Sequence, residues 1–312
     1  MWTLDDYAGR KAWFGENEVL RVVLIPELGG KLVSILDKRS GREWLAQNDR
    51  LGNSGYDTPF EQGDLRGWDE MFPTIDRCLY PHRPWQGTAI PDHGEVWSIP
   101  WESRLSEGND VLVCHVYGVR FPYRLEKRVW LDGEAGLVMA YEVVNLSPFP
   151  FSYLWAAHPL FQVEPGMMLV VPYGEGSEVV LQISKHDHLG QRGSRLPWPH
   201  GVNGTRLDLV PDKGDRYEKY YFGQSPGEGW ARLEHPATGE ALTMEFPTGE
   251  VPYLAVWANY GGYHGGYHVA IEPATGYLDS LTTAVEQGKV RTLPACGTHS
   301  WKIRLFVEGR RG

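Results

Sequence analysis

Short apolar runs alternating with polar residues, not stripes at three- and four-residue spacing, dominate this chain. Residues 19–25 are rich in β-branched side chains and are closed by Pro26, which predicts a strand. Gly29 and Gly30 turn the chain into a second apolar strand, 31–36, and Ser40-Gly41 marks a hairpin turn before Glu43-Trp44-Leu45. Alternation returns at 95–104, 111–117, 123–131, 137–145 and 151–158, with Gly108-Asn109-Asp110 and Asp132-Gly133 as turn signals. Further strands are predicted at 217–222, 230–234, 241–246, 253–257, 267–272 and 298–307, and one short helix near 277–285. Strands spaced by about 8 to 12 residues with turns of this kind indicate an antiparallel sandwich or barrel. The stretches 48–91 and 163–214 lack periodicity, and long aperiodic loops are usually functional or disordered. The many aromatics of 48–91 favour function, and Pro197-Trp198-Pro199-His200-Gly201 reads as a rim loop over a site. With no fixed-period repeat and no linker, one all-β domain spanning 1–312 is expected.

Composition agrees with that pattern. Thirteen Trp, 16 Tyr, 37 Gly and 22 Pro suit strands and turns better than long helices. A net charge of −10 argues against nucleic acid as a partner, which calls for clustered Lys and Arg. No apolar run approaches the roughly 20 residues of a membrane span, and the first residues lack the basic and apolar regions of a signal peptide. Cys78, Cys114 and Cys296 have neither metal-finger nor disulfide spacing, so a reducing, cytoplasmic setting is expected.

Chemistry concentrates first in Pro91-Asp92-His93-Gly94-Glu95-Val96-Trp97-Ser98-Ile99-Pro100-Trp101. A histidine, two carboxylates and two indoles at a shaped turn suit a sugar, whose apolar faces stack on Trp and whose hydroxyls take hydrogen bonds. The plain alternative is a capping loop with buried tryptophans. His93 and Glu95, two residues apart, form only a fragment of a metal motif, so no metal is expected. On the 151–158 strand, parity places Ser152, Leu154, Ala156 and His158 on one face, with the imidazole at the strand mouth before Pro159. On the 267–272 strand His268, Ala270 and Glu272 share a face. Glu is almost never buried unless paired or functional, and burial would poise Glu272 as a general base. In 66–77, Arg77 can offer a fork of donors and Trp68 a stacking face, while Asp69 and Glu70 point to opposite sides, make a poor glycosidase dyad and read more simply as a solvated loop. The glycine-rich 261–266 loop lacks the Lys and Ser/Thr of a phosphate loop, which excludes nucleotide binding of that type.

In their order along the chain, several landmarks resemble the aldose 1-epimerase, or galactose mutarotase-like, family. They are Leu28-Gly29-Gly30-Lys31-Leu32, Gly67-Trp68-Asp69-Glu70-Met71-Phe72-Pro73, Pro91-Asp92-His93-Gly94, His158-Pro159-Leu160-Phe161, Ile271-Glu272-Pro273 and a late strand with Trp301. The resemblance implies a large antiparallel β-sandwich with few short helices and a cleft on its concave side. It implies interconversion of the α and β anomers of a free sugar by ring opening and reclosure. By position, Glu272 resembles the base that takes the C1 hydroxyl proton and His158 the acid that protonates the ring oxygen. His93 resembles the substrate-binding histidine, and Arg77 the arginine after the family's Phe-Pro segment. Trp68 and Trp257 are candidate sugar-stacking residues, and Asp69, with Asp92 as the alternative, is the candidate substrate-binding aspartate. No metal or organic cofactor is implied, and the expected partner is a small sugar bound by a monomer or homodimer. A catalytically silent sugar-binding protein and a polysaccharide-active lyase or hydrolase are the competing classes.

Overall fold

Two large antiparallel sheets form the body of the computed structural model, which describes residues 1–52, 55–133 and 135–309. Among the described residues the larger sheet has 12 strands and the smaller has eight. Across the middle of the larger sheet run Lys31–Asp37, Trp68–Met71, Ala156–Gln162, Tyr267–Ala274, Tyr253–Tyr260, Tyr217–Phe222 and Glu178–Ser184, in that spatial order. Thr298–Glu308, Gly136–Asn145 and Tyr123–Asp132 lie side by side in the smaller sheet. The all-β antiparallel sandwich expected from the alternation is therefore what forms, with one short α-helix, Leu281–Glu286, among the described residues. No helix there is long and apolar enough to cross a membrane.

Alternation decides what each sheet face meets. Val269 and Ile271 join Leu125, Met139, Ile303 and Leu305 in one core between the sheets. On the opposite face of the same strand, Ala270 joins a separate small cluster with Phe60, Trp97 and Leu160. Burying an apolar side chain such as Ile271 contributes about 1.5–3 kcal/mol, so this inner face holds the register. A slip of one residue would turn Glu272 into the core, which is why the register also places the polar residues of the outer face.

Several expectations need correction. The 151–158 stretch is not one strand: Phe151–Tyr153 pairs with Arg291–Leu293, and the chain re-enters the large sheet only as Ala156–Gln162. Leu154 and Trp155 make the break, where Leu154 N donates to Pro73 O and Trp155 N to the Thr275 hydroxyl. Pro159 consequently lies inside a strand, opposite Trp68 at the start of its neighbour. Residues 95–101 are not a strand either, and of the expected 95–104 stretch only Glu102–Leu105 starts one. His93 and Gly94 both take left-handed φ, and Trp97 Nε1 folds back to donate to Asp92 O at 3.1 Å. Within 163–214 a further strand, Glu178–Ser184, joins the large sheet.

Candidate functional site

The register of three neighbouring strands builds a polar row on the outer face of the large sheet. Ala156 faces Ala274 and Leu160 faces Ala270, a register that sets His158 across from Glu272. On the far side Ala255 faces Glu272, and Trp257 faces both Ala270 and Lys219. His158 Nε2 comes to 3.8 Å from Glu272 Oε1. Lys219 Nζ stands 2.7 Å from Glu272 Oε2, an ion-pair contact outside hydrogen-bond angles, and 3.0 Å from Asp279 Oδ1. Tyr221 also donates to Asp279 Oδ1, at 3.0 Å.

The turn at residues 91–94 brings the second imidazole over this row. His93 N donates to Ile75 O and Glu95 N to Phe72 O, both at 2.7 Å, which fastens the turn to the sheet. A Cβ on Gly94 would stand 2.0 Å from Phe72 O, so only glycine admits that approach. His93 stacks on Phe60 with centroids 4.1 Å apart, and its ring lies 5.2 Å from that of His158. Asp92 Oδ1 is 3.1 Å from His93 Nδ1. Glu95 turns away to accept from the Tyr123 hydroxyl at 2.9 Å and from the Arg120 amide at 3.0 Å, so the two halves of the metal-like fragment are separated. Among the described residues no three His, Cys, Asp or Glu side chains converge as a metal site would need.

These groups enclose a cavity of about 250 Å³. His158, Glu272, Lys219 and Asp279 lie at its base with His93, Phe60 and Trp257 around them. Burial dominates the ionisation of the base. It raises Glu272 above the usual carboxylate range, against the opposing pull of Lys219. It presses His158 well below the ordinary imidazole value, with the nearby His93 and Lys219 pushing the same way. Burial works against the Lys219 ammonium, but Asp279 and Glu272 outweigh it and hold its pKa above normal. Burial likewise opposes the Asp92 carboxylate, and the His93 ring more than compensates, leaving Asp92 below its usual value. Lys219 occupies Glu272 Oε2, whereas Glu272 Oε1 and His158 Nδ1 have no hydrogen bond. Buried polar atoms are nearly always satisfied, so unsatisfied ones facing a cavity mark where a ligand's hydroxyls belong.

Of the residues singled out from the sequence, the fold gathers His93, His158, Trp257 and Glu272 in this cavity and leaves three outside. Trp68 is fully buried and packs edge-on to Phe161, so it offers no face to a sugar. Asp69 lies opposite His158 across the strands but is sealed against Lys31, whose Nζ is 3.2 Å away. Burial raises Asp69 to about 7 despite Lys31. Asp92, the alternative aspartate, does line the cavity. Arg77 points outward into an ion pair with Asp57. The guanidinium at the mouth is instead Arg192, 3.0 Å from Asp76 Oδ2. Trp198 of the expected rim loop is buried against Phe222.

Lys219, Asp279, Phe60 and Arg192 escaped the sequence reading. Lys219 carried a usable signal, because a lysine inside the aromatic strand Tyr217–Phe222 must be paired if that strand is buried. Asp279 and Arg192 carried none, since each reaches the cavity from an irregular segment.

A family model described as a domain of unknown function, DUF4432, matches residues 211–307. No curated protein matches the chain in sequence. Solved structures do match over nearly the whole length. Slr1438 from Synechocystis is 17% identical, covers 99% of each chain and has a TM-score of 0.72. A galactose mutarotase-like protein from Lactobacillus casei is 18% identical over 95% of this chain and 100% of its own, also at 0.72. A galactose mutarotase related enzyme from Lactobacillus acidophilus is 15% identical over 96% and 98%, at 0.70. At these identities the likeness establishes the fold, which is the galactose mutarotase-like sandwich.

Proposed function

We propose that the chain is an aldose mutarotase, an isomerase that interconverts the α and β anomers of a free sugar through the open-chain aldehyde. The observation that carries this reading is the 3.8 Å approach of His158 Nε2 to Glu272 Oε1 at the base of a sugar-sized cavity. Ring opening moves a proton off the C1 hydroxyl and puts one on the ring oxygen, and both oxygens are bonded to the same carbon. An acid and a base side by side fit that demand. A glycosidase needs its two carboxyl groups about 5–9.5 Å apart across the scissile bond. Here the carboxylate tied to Glu272 through a shared ammonium is Asp279, which the Tyr221 hydroxyl also holds, so it is engaged in fixing the base rather than standing free across a scissile bond. That favours the isomerase over a hydrolase.

In the proposed cycle Glu272 takes the C1 hydroxyl proton while His158 delivers one to the ring oxygen. The aldehyde turns about the C1–C2 bond, and the reverse transfers close the ring on the other face. The pair thus carries one proton in total, passed from His158 to Glu272 and back. The depressed His158 pKa makes its protonated form the minor one in the empty cavity and, by the same token, a strong donor to the ring oxygen. Lys219 keeps a carboxylate available on Glu272 against burial, His93 and Asp92 hold the substrate hydroxyls, and Trp257 supplies the apolar wall. The reading includes a reducing cytoplasmic setting, in keeping with three cysteines of which none is bonded to another. It also takes the working unit to be a monomer or homodimer that needs no cofactor.

The test is anomer exchange, followed by polarimetry or NMR on freshly dissolved pure anomers. Each proton-transfer group contributes about 10²–10⁴-fold, so Glu272→Gln should lower the rate by that factor with the fold unchanged by circular dichroism. Wild-type protein that binds sugars without speeding exchange would mean the silent binding class instead. Retained activity in the folded variant would sink the mechanism.

A further inference from the structure

A second cavity, of about 550 Å³, adjoins the first across shared walls of Phe60, Trp257 and Tyr263. It is built by the same strand faces. Gln162 faces His268 two pleats beyond the row of His158 and Glu272, and the pair Leu160 and Ala270 lies between. The outer face therefore reads polar pair, apolar saddle, polar pair. At a strand rise of about 3.3 Å per residue, His268 and Glu272 stand about 13 Å apart, the span of two linked pyranose rings rather than one.

His268 is the informative residue. It is 4% exposed and lines the second cavity. Its Nε2 accepts from Trp257 Nε1 at 3.3 Å. Burial pushes its pKa down to about 4, so the ring is neutral near pH 7. With Nε2 accepting, the single ring proton sits on Nδ1. A Cβ at residue 266 would come within 3.1 Å of that nitrogen, and Gly266 leaves the approach open. Asp49 and Lys213, at the edge of this cavity, are of opposite sign and balance each other. Nothing there selects an anion.

We propose that the two cavities are one cleft and that the second receives the uncharged outer ring of a reducing disaccharide, with the reducing ring seated over His158 and Glu272. The outer ring's hydroxyls accept from His268 Nδ1 and bond to Gln162, and its glycosidic oxygen crosses the saddle between Phe60 and Trp257. This assignment rests on the mutarotase reading for the chemistry at C1, but not for the occupancy of the second cavity.

The experiment compares glucose with maltose, cellobiose, lactose and melibiose, all of which carry a reducing glucose. Anomer exchange is measured by NMR and binding by titration calorimetry on the full chain. At least one disaccharide should exceed glucose in kcat/KM by about tenfold, through a lower KM, the worth of one or two added hydrogen bonds. Gln162→Ala and His268→Leu should each lower the disaccharide-to-glucose ratio of kcat/KM by a similar factor. Gln162 is exposed, so its variant keeps the test open if the His268 variant fails to fold. Exchange of glucose with no preference for any of the four disaccharides overturns the second compartment and leaves the mutarotase reading intact. Disaccharide binding that weakens in the Gln162 variant, with no exchange of any sugar, does the reverse.

Discussion

Lys219 and Glu272 set the protonation of the proposed base by opposing effects. Burial favours the neutral carboxyl, and the ammonium 2.7 Å away favours the carboxylate. Lys219→Met removes only the second effect, so the Glu272 pKa rises further and the carboxylate forms at higher pH. The expected result is a rate lowered by about 10–100-fold at pH 7 that partly recovers as pH increases, read as an alkaline displacement of the kcat/KM profile. A uniform loss at every pH would assign Lys219 a merely structural part. The same physics explains what the sequence made legible at this scale. Glu272 ends an apolar run, and a carboxylate there has to be paired or functional, so the residue announced itself. Trp68 and Asp69 misled for the complementary reason. An aromatic or an acid in a short aperiodic stretch looks equally suited to a site or to a core, and only Lys31, 38 residues away from Asp69, decides between them.

At the scale of elements, the period-2 pattern carried the Tyr267–Ala274 strand and its parity, and hence the face on which Glu272 and His268 both stand. It failed at 151–158, where every residue is buried and the run Tyr153-Leu154-Trp155-Ala156-Ala157 hides the change of sheet at Leu154 and Trp155. It failed again at 95–97, because Val96 and Trp97 are strand-favouring types while the backbone is held in turns by its bonds to Phe72 and Ile75. Those bonds depend on Gly94, with φ of 77° and with no room for a side chain beside Phe72 O. Gly94→Ala should therefore destabilise the protein by about 1–3 kcal/mol in a denaturant titration. It should also shift His93 off Phe60, raising KM for the exchanged sugar more than it lowers kcat. An unchanged KM in the folded variant would show that His93 has no hold on the substrate.

Across the whole molecule, the site is fastened to the second sheet by a buried polar network directly behind it. Glu70 lies opposite Ala157, next to His158 in the strand, and points between the sheets. Its Oε1 accepts from Lys127 at 3.0 Å and Tyr141 at 2.9 Å, and its Oε2 accepts from Trp155 at 3.0 Å. Lys127 Nζ also donates to Gly30 O at 2.7 Å, so it reaches across to the turn that precedes the Lys31–Asp37 strand. Glu70 and Lys127 are both completely shielded from solvent. The sequence places Glu70 beside Asp69 as if both were solvated, because nothing local signals a lysine 57 residues further on. Removing one partner of a buried ion pair leaves the other uncompensated, at a cost of about 3–5 kcal/mol, whereas removing both charges is often nearly neutral. Lys127→Met should accordingly lose about that much in urea unfolding. Adding Glu70→Gln to it should restore stability, giving a coupling of more than about 1 kcal/mol between the two positions. Simple additivity would mean that the network fills space without joining the sheets. With coupling, the position of the His158 strand depends on the sheet behind it as much as on its neighbours within its own.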